Sequence, residues 1–172
     1  MPLPMMSWLA GVMRRDLTGF RRTLDAYPDD ASPWQPVPGP VNVTGTLVLH
    51  VAGNLQHFIG TVLGHTDFVR DRDAEFAARD LTRSELHPHL DATSAVVTAI
   101  LPALSENDLA APYPLSLRHT RVSTGDFLLH LASHLGYHLG QADYHRRVVT
   151  GSPAPAGLVL IDDLSSARRD SC

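Results

Sequence analysis

The sequence predicts an all-α protein, a four-helix bundle with long crossover connections. Three observations carry that prediction. Four segments repeat apolar residues at three- and four-residue steps, the period of one helix face. Long polar or proline-rich stretches separate them, longer than the short turns that join antiparallel neighbours. No segment alternates with the period of two that marks a half-buried strand. A single domain over residues 1–150 is expected, followed by a polar, flexible tail over 151–172.

The first helical stripe is Leu9, Val12, Met13, Leu17, Phe20 and Leu24. "PDDASPWQPVPGP" (28–40) ends it, because proline breaks helices, and the stretch reads as too polar to pack. The second stripe is Leu47, Val51, Leu55, Phe58, Ile59 and Val62, with Asn42 or Thr44 placed to cap its first free N–H groups. Residues 64–80 are polar and charged, a loop with room for a short helical turn.

The third stripe is Leu86, Leu90, Val97, Leu101 and Leu104. Thr82 and Glu85 have capping-box spacing ahead of it. Pro88 inside this stripe calls for a later start or a kink, since an interior proline removes a hydrogen bond and clashes with the preceding turn. Pro102 raises the same difficulty at the other end, and 105–121 is a connection. The fourth stripe is Phe127, Leu128, Leu131, Leu135, Leu139 and Ala142, capped by Ser123 or Thr124 and stopped by Gly151.

The bulk numbers exclude some functions. A chain of 172 residues supports one domain with a sizeable core. Its net charge of −4 argues against capture of nucleic acid. No apolar run approaches the ~20 residues of a membrane span, and the basic pair of "MPLPMMSWLAGVMRRDL" follows its apolar stretch, the reverse of a secretory signal. The only cysteine, Cys172, permits no internal disulfide, which fits a reducing, cytoplasmic setting. The oddity is an excess of histidine, ten in all.

Four of the ten, His130, His134, His138 and His145, fall within the fourth helix, the last three in the stretch "HLGYHLGQADYHRR" (134–147). His134 and His138 are one turn apart and ~40° apart around the axis, so both rings can reach one point. Helix-borne metal sites use this spacing. The residues between them are Leu135, Gly136 and Tyr137, so the glutamate that a zinc peptidase places there is missing. A third ligand has to come from a facing helix. His50, mid-helix between Leu49 and Val51, is the best candidate. Asn54 and His57 share its face, and Gln141 and His145 share the face of His134. His145 reads as a residue of the rim. His130 is near enough to touch the site, whereas His65, His87, His89 and His119 read as solvent-facing.

"LLHLASHLGYHLGQADYHRR" resembles the last core helix of the DinB/YfiT-like metal-dependent superfamily, with its HxxxHxGQ-type motif. "LVLHVAGNLQHFIG" resembles that family's second helix, which carries a single histidine ligand, and "FVRDRDAEF" is similar to a segment of some members. The match spans about residues 5–150. The resemblance implies a four-helix bundle with a crossed connection, a homodimer, and a divalent metal held by three histidines. On this sequence these are His50, His134 and His138. Zinc leads, with nickel, iron or manganese as alternatives. Characterised relatives include enzymes that use a low-molecular-weight thiol such as mycothiol, bacillithiol or glutathione, acting as S-transferases or isomerases.

Three neutral ligands leave a cation its full charge and open positions for water or substrate. A thiol there becomes a thiolate, and a water becomes a hydroxide nucleophile near neutral pH. The sequence therefore supports a thiol transferase acting on small electrophiles, a hydrolase at the same centre, or a non-enzymatic metal-binding or stress-response protein. Asn54, His57 and Gln141 are expected around the ligands, as substrate-lining or ring-orienting groups. Arg70, Arg72 and Glu75 read as a salt-bridged loop network with a structural role.

Overall fold

A computed structural model of the chain describes residues 4–39 and 42–168. It contains six α-helices: α1 (Pro4–Asp25), α2 (Thr44–Gly64), α3 (Arg72–Ala77), α4 (Arg83–Ile100), α5 (Glu106–Ala110) and α6 (Thr124–Thr150). Among the described residues there is no strand, only two isolated bridges, at Pro112–Ser123 and Leu117–Thr120.

The four predicted stripes become the inner faces of α1, α2, α4 and α6. Met13, Phe20, Leu55, Leu86, Val97 and Leu128 are fully buried in one continuous core. Truncating any such side chain to alanine costs roughly 2–5 kcal/mol. The packing explains the long connections. Both α1 and α2 pack chiefly against α4 and α6, with little contact between the two among the described residues. Residues 26–43 must therefore carry the chain across the bundle diagonal, as must residues 101–123 between α4 and α6.

The helix ends follow local chemistry, with two corrections. Ser123 caps α6, its Oγ accepting from the Asp126 N–H at 3.2 Å, and Gly151, at φ 64°, supplies the left-handed stop. Thr82 and Glu85 form the predicted capping box. A later start at Pro88 is overturned: α4 begins just after Thr82 and runs through Pro88, which sits in its second turn on an exposed face. Beyond Ile100, Pro102 falls in a 3₁₀ turn, Leu101–Ala103. The cap expected from Asn42 or Thr44 is absent. Val43 holds the cap position of α2 with no side-chain bond. The Thr44 hydroxyl is drawn inward instead, to the Tyr27 hydroxyl at 2.7 Å and His145 Nδ1 at 3.1 Å.

The 28–40 stretch is not too polar to pack. Trp34 is buried there, and its Nε1–H donates to the Leu81 carbonyl at 2.8 Å. Its ring lies where a Cβ on Gly45 would come within 2.5 Å of it, so that helical position has to be glycine. Part of the expected tail runs along α1: Leu158 packs against the core, Arg22 donates to the Gly157 carbonyl at 2.9 Å, and Arg22 pairs with Asp163. Cys172 and the rest of the last four residues lie outside the described residues. One helix, α2, is long and apolar enough by length and composition to cross a membrane, contrary to the sequence reading, but 67% of its apolar window is buried inside the protein.

Candidate metal centre

The central part of α2 faces the middle of α6, and this pairing brings the histidines together. His50, His134 and His138 offer ring nitrogens that all lie within 4.8 Å of one another. His134 Nε2 and His138 Nε2 are 3.1 Å apart, and the His50 ring centre is 5.4 Å and 5.1 Å from the other two. Nitrogens sharing one tetrahedral zinc at ~2.0–2.1 Å sit ~3.4 Å apart, so the widest pair within the 4.8 Å limit would close by up to ~1.4 Å to seat an ion.

The protonation pattern suits a cation. Burial, then the neighbouring imidazoles, push His134 down to about 4, and burial likewise lowers His138. Both rings are therefore neutral at physiological pH. Two of the three are braced from behind. His138 Nδ1 donates to Gln141 Oε1 at 2.7 Å, and His50 Nδ1 donates to Glu75 Oε2 at 3.1 Å. Each bond fixes the tautomer that leaves the Nε2 lone pair facing the shared point.

Glu75 is the residue whose role at the site sequence reasoning missed. Arg70 grips the same carboxylate through two bonds, Nε to Oε1 at 2.6 Å and Nη2 to Oε2 at 2.9 Å. Burial alone would raise the Glu75 carboxyl, but the bonds from Arg70 and His50 outweigh it and hold it below the usual range. The network read as structural thus orients a ring of the cluster. Gly53 makes room for it, since a Cβ there would fall 2.1 Å from Glu75 Oε1. Nothing in the charge run "RDRDAE" separates Glu75 from its neighbours. Its placement depends on α3, whose cap Asp71 accepts from the Ala74 N–H at 2.9 Å.

The other expected residues divide. Asn54 is buried beside the cluster, and its Oδ1 has no hydrogen-bond partner among the described residues. His57 stands apart, in the wider π turn Gln56–Thr61 and edge-on to Phe58. Burial and then the Arg70 charge lower its pKa. His130 stacks on Phe127 and reaches to 6.0 Å from His134. His145 is not at the rim. It is 1% exposed, and its Nε2–H donates to the Gln35 carbonyl at 2.8 Å while Nδ1 accepts from Tyr27 Oη at 2.6 Å. The helix-angle argument gives its direction correctly, but three turns beyond His134 that face meets Tyr27 and the 28–40 loop. Of the four histidines read as solvent-facing, His65, His89 and His119 are exposed, while His87 is half-buried and lies 3.0 Å from Asp25.

A cleft of about 820 Å³ opens from the cluster. Its walls include Asn54, Phe58, Phe127 and Leu131 on the bundle side and the 115–118 loop on the other. The Tyr113 hydroxyl anchors that loop by donating to the Phe58 carbonyl at 2.7 Å. Three imidazoles from two helices, two of them braced from behind, beside an open cleft form a donor set compatible with one divalent cation and a small ligand.

No curated protein matches the chain significantly. The family model described as the DinB superfamily matches residues 13–142, which include all three histidines, both bracing residues and most of the bundle. With that match over most of its length, on an all-α fold that converges His50, His134 and His138, the chain belongs to the DinB superfamily.

Proposed function

We propose that this protein is a metal-dependent transferase that joins a low-molecular-weight thiol to a small electrophile, with His50, His134 and His138 holding one divalent cation. The observation that carries this reading is the convergence of three ring nitrogens, within 4.8 Å, at the end of a cleft that admits a second molecule. Zinc suits the imidazole set best, and nickel, iron or manganese are the alternatives. When bound there, such an ion supplies Lewis acidity that favours the deprotonated form of a thiol reaching its open side.

The chain's own residues have separate tasks. Glu75 and Gln141 hold two rings in the ligating tautomer. Asn54 Oδ1 accepts a hydrogen bond from the incoming molecule. Phe58 and Phe127, ring centres 5.1 Å apart, keep water from the wall beside it. Because the Asn54 acceptor would orient a water as readily as a substrate, hydrolysis at the same centre is the second reading.

Loading tag-free protein with zinc, nickel, iron or manganese and following consumption of mycothiol, bacillithiol and glutathione with several small electrophiles tests the proposal. Turnover that requires both metal and thiol, and that His134→Ala abolishes, is the expected result. Turnover without thiol would favour hydrolysis. Bound metal with neither activity would leave a metal-binding protein. The exposed stripe Leu129, Tyr137, Tyr144 and Val148 on α6 supports a homodimer as the working form, which sedimentation equilibrium checks.

A further inference from the structure

The chain contains no lysine, so all fourteen of its basic residues are arginines. Many are neutralised by a neighbour. Arg15, Arg21, Arg22, Arg83, Arg146 and Arg147 pair with aspartates, and Arg70 is committed to Glu75. Two arginines that line the cleft differ. Arg72 and Arg118 have no carboxylate partner among the described residues, although both side chains border the same cavity. Arg72 lies over the Phe76 ring, 4.9 Å from its centre, which orients its guanidinium without neutralising it. Among the described residues the only carboxylate lining the cleft is the exposed Asp126, against Arg72 and Arg118, the charge of Arg70 being met by Glu75. The cleft is thus locally cationic in a protein of net charge −4.

Arg118 is also held in an unfavourable backbone conformation. Its φ is 47° and that of His119 is 66°, both in the left-handed region that non-glycine residues avoid. A tight Leu117–Thr120 turn, closed by bonds of 2.9 and 2.8 Å, carries both residues at its tip. Strain of this kind concentrates where a loop presents a side chain to a ligand. Much of the remaining wall is apolar, made by Phe58, Phe127, Leu117, Leu131 and Val122. Asn54, nine-tenths buried with its Oδ1 unpartnered, marks the polar end near the cluster.

We propose that the cleft recognises an organic acid with an apolar body, its carboxylate held by Arg72 and Arg118 and its opposite, reacting end presented to Asn54 and the three histidines. This identifies the substrate class for the site proposed above and rests on that reading for its reacting end alone. A guanidinium meets a carboxylate through two parallel bonds, whereas a neutral amide satisfies one at best. The apolar wall favours a hydrocarbon or aromatic body over an inorganic anion.

The test titrates the full chain with 4-phenylbutyrate, with its neutral amide and with inorganic phosphate, by calorimetry, in both metal-loaded and metal-free protein. The expected result is saturable binding of the acid, about tenfold or more weaker binding of the amide, and no competition by phosphate. Arg72→Gln and Arg118→Gln each weaken the acid by about tenfold and leave the amide unchanged. Both side chains are exposed, so metal content and melting temperature stay at wild-type values. Equal affinity for acid and amide, competition by phosphate at equal strength, or unaltered affinity in both variants would overturn the proposal. So would failure of the acid to bind at all. A chain that selects the acid over the amide but holds no metal would overturn the metal-site reading instead and leave the anion site standing.

Discussion

His50 Nδ1 lies 3.1 Å from Glu75 Oε2, and that carboxylate is clamped from its other side by Arg70. A histidine from α2 is thus oriented by a residue 25 positions later, on a helix of only six residues. Removing the charge while keeping the shape isolates this brace. Glu75→Gln is expected to weaken metal binding about 10- to 100-fold, the usual effect of losing such a partner. Competition against a chelating dye measures it. Wild-type affinity in this variant would show that the His50 ring is oriented without the carboxylate.

Gly53 sets up a second, independent check. An added Cβ would meet Glu75 Oε1 at 2.1 Å, so Gly53→Ala must move the carboxylate off His50. Metal affinity should fall about as far as in Glu75→Gln, with ~1–3 kcal/mol of stability lost to overpacking. The two substitutions act on one contact, so the double variant should bind metal no worse than the weaker single. Additive losses would place the effect of Gly53 elsewhere.

The three converging histidines were legible in the sequence because a spacing of four residues and a mid-helix position both translate directly into direction on a helix. Residues whose role depends on which elements meet were not. Glu75 reaches His50 only because α3 folds back on α2. Arg118 enters the cleft only through a turn with two left-handed residues. His145 failed for a related reason: an angle around α6 says nothing about what stands opposite at that height. Thr44 looked like a cap because it stands at a helix start, yet a buried imidazole and a tyrosine hydroxyl claim its oxygen. The 28–40 stretch looked unpackable by average polarity, and one tryptophan fitted over Gly45 reverses that.

His145 gives the pH dependence of folding a specific origin. Burial holds its pKa below the usual 6.5, even though its bond to the Gln35 carbonyl works the other way. The unfolded chain takes up a proton there as pH falls through 6.5, and the folded chain does so only further down. The unfolded state therefore binds more protons in that window, so stability is fully present above 6.5 and declines as the solution is acidified. His134, held at about 4 for the same first reason, adds to the slope in metal-free protein. Urea titrations between about pH 5 and 8 should show His145→Gln losing up to one proton's share of that slope, at most about 1.4 kcal/mol per pH unit. An unchanged slope would mean that His145 titrates alike in both states.

Asn54 separates binding of the ion from handling of the second molecule. Its Oδ1 is unpartnered, and Asn54→Leu removes that acceptor with little change in volume. Metal content should stay at the wild-type level while turnover falls about 100- to 1,000-fold, the scale of losing one positioned polar contact. Metal lost together with activity would make Asn54 part of the ion's own surroundings.

Metal stoichiometry across the histidine series tests the central claim most directly. Tag-free wild-type chain, His50→Ala, His134→Ala and His138→Ala would be loaded, dialysed and analysed for metal in parallel. About one divalent ion per chain in the wild type, lost in all three variants while the helical signal persists, is the result predicted. Metal retained at wild-type affinity by folded His134→Ala protein would contradict it.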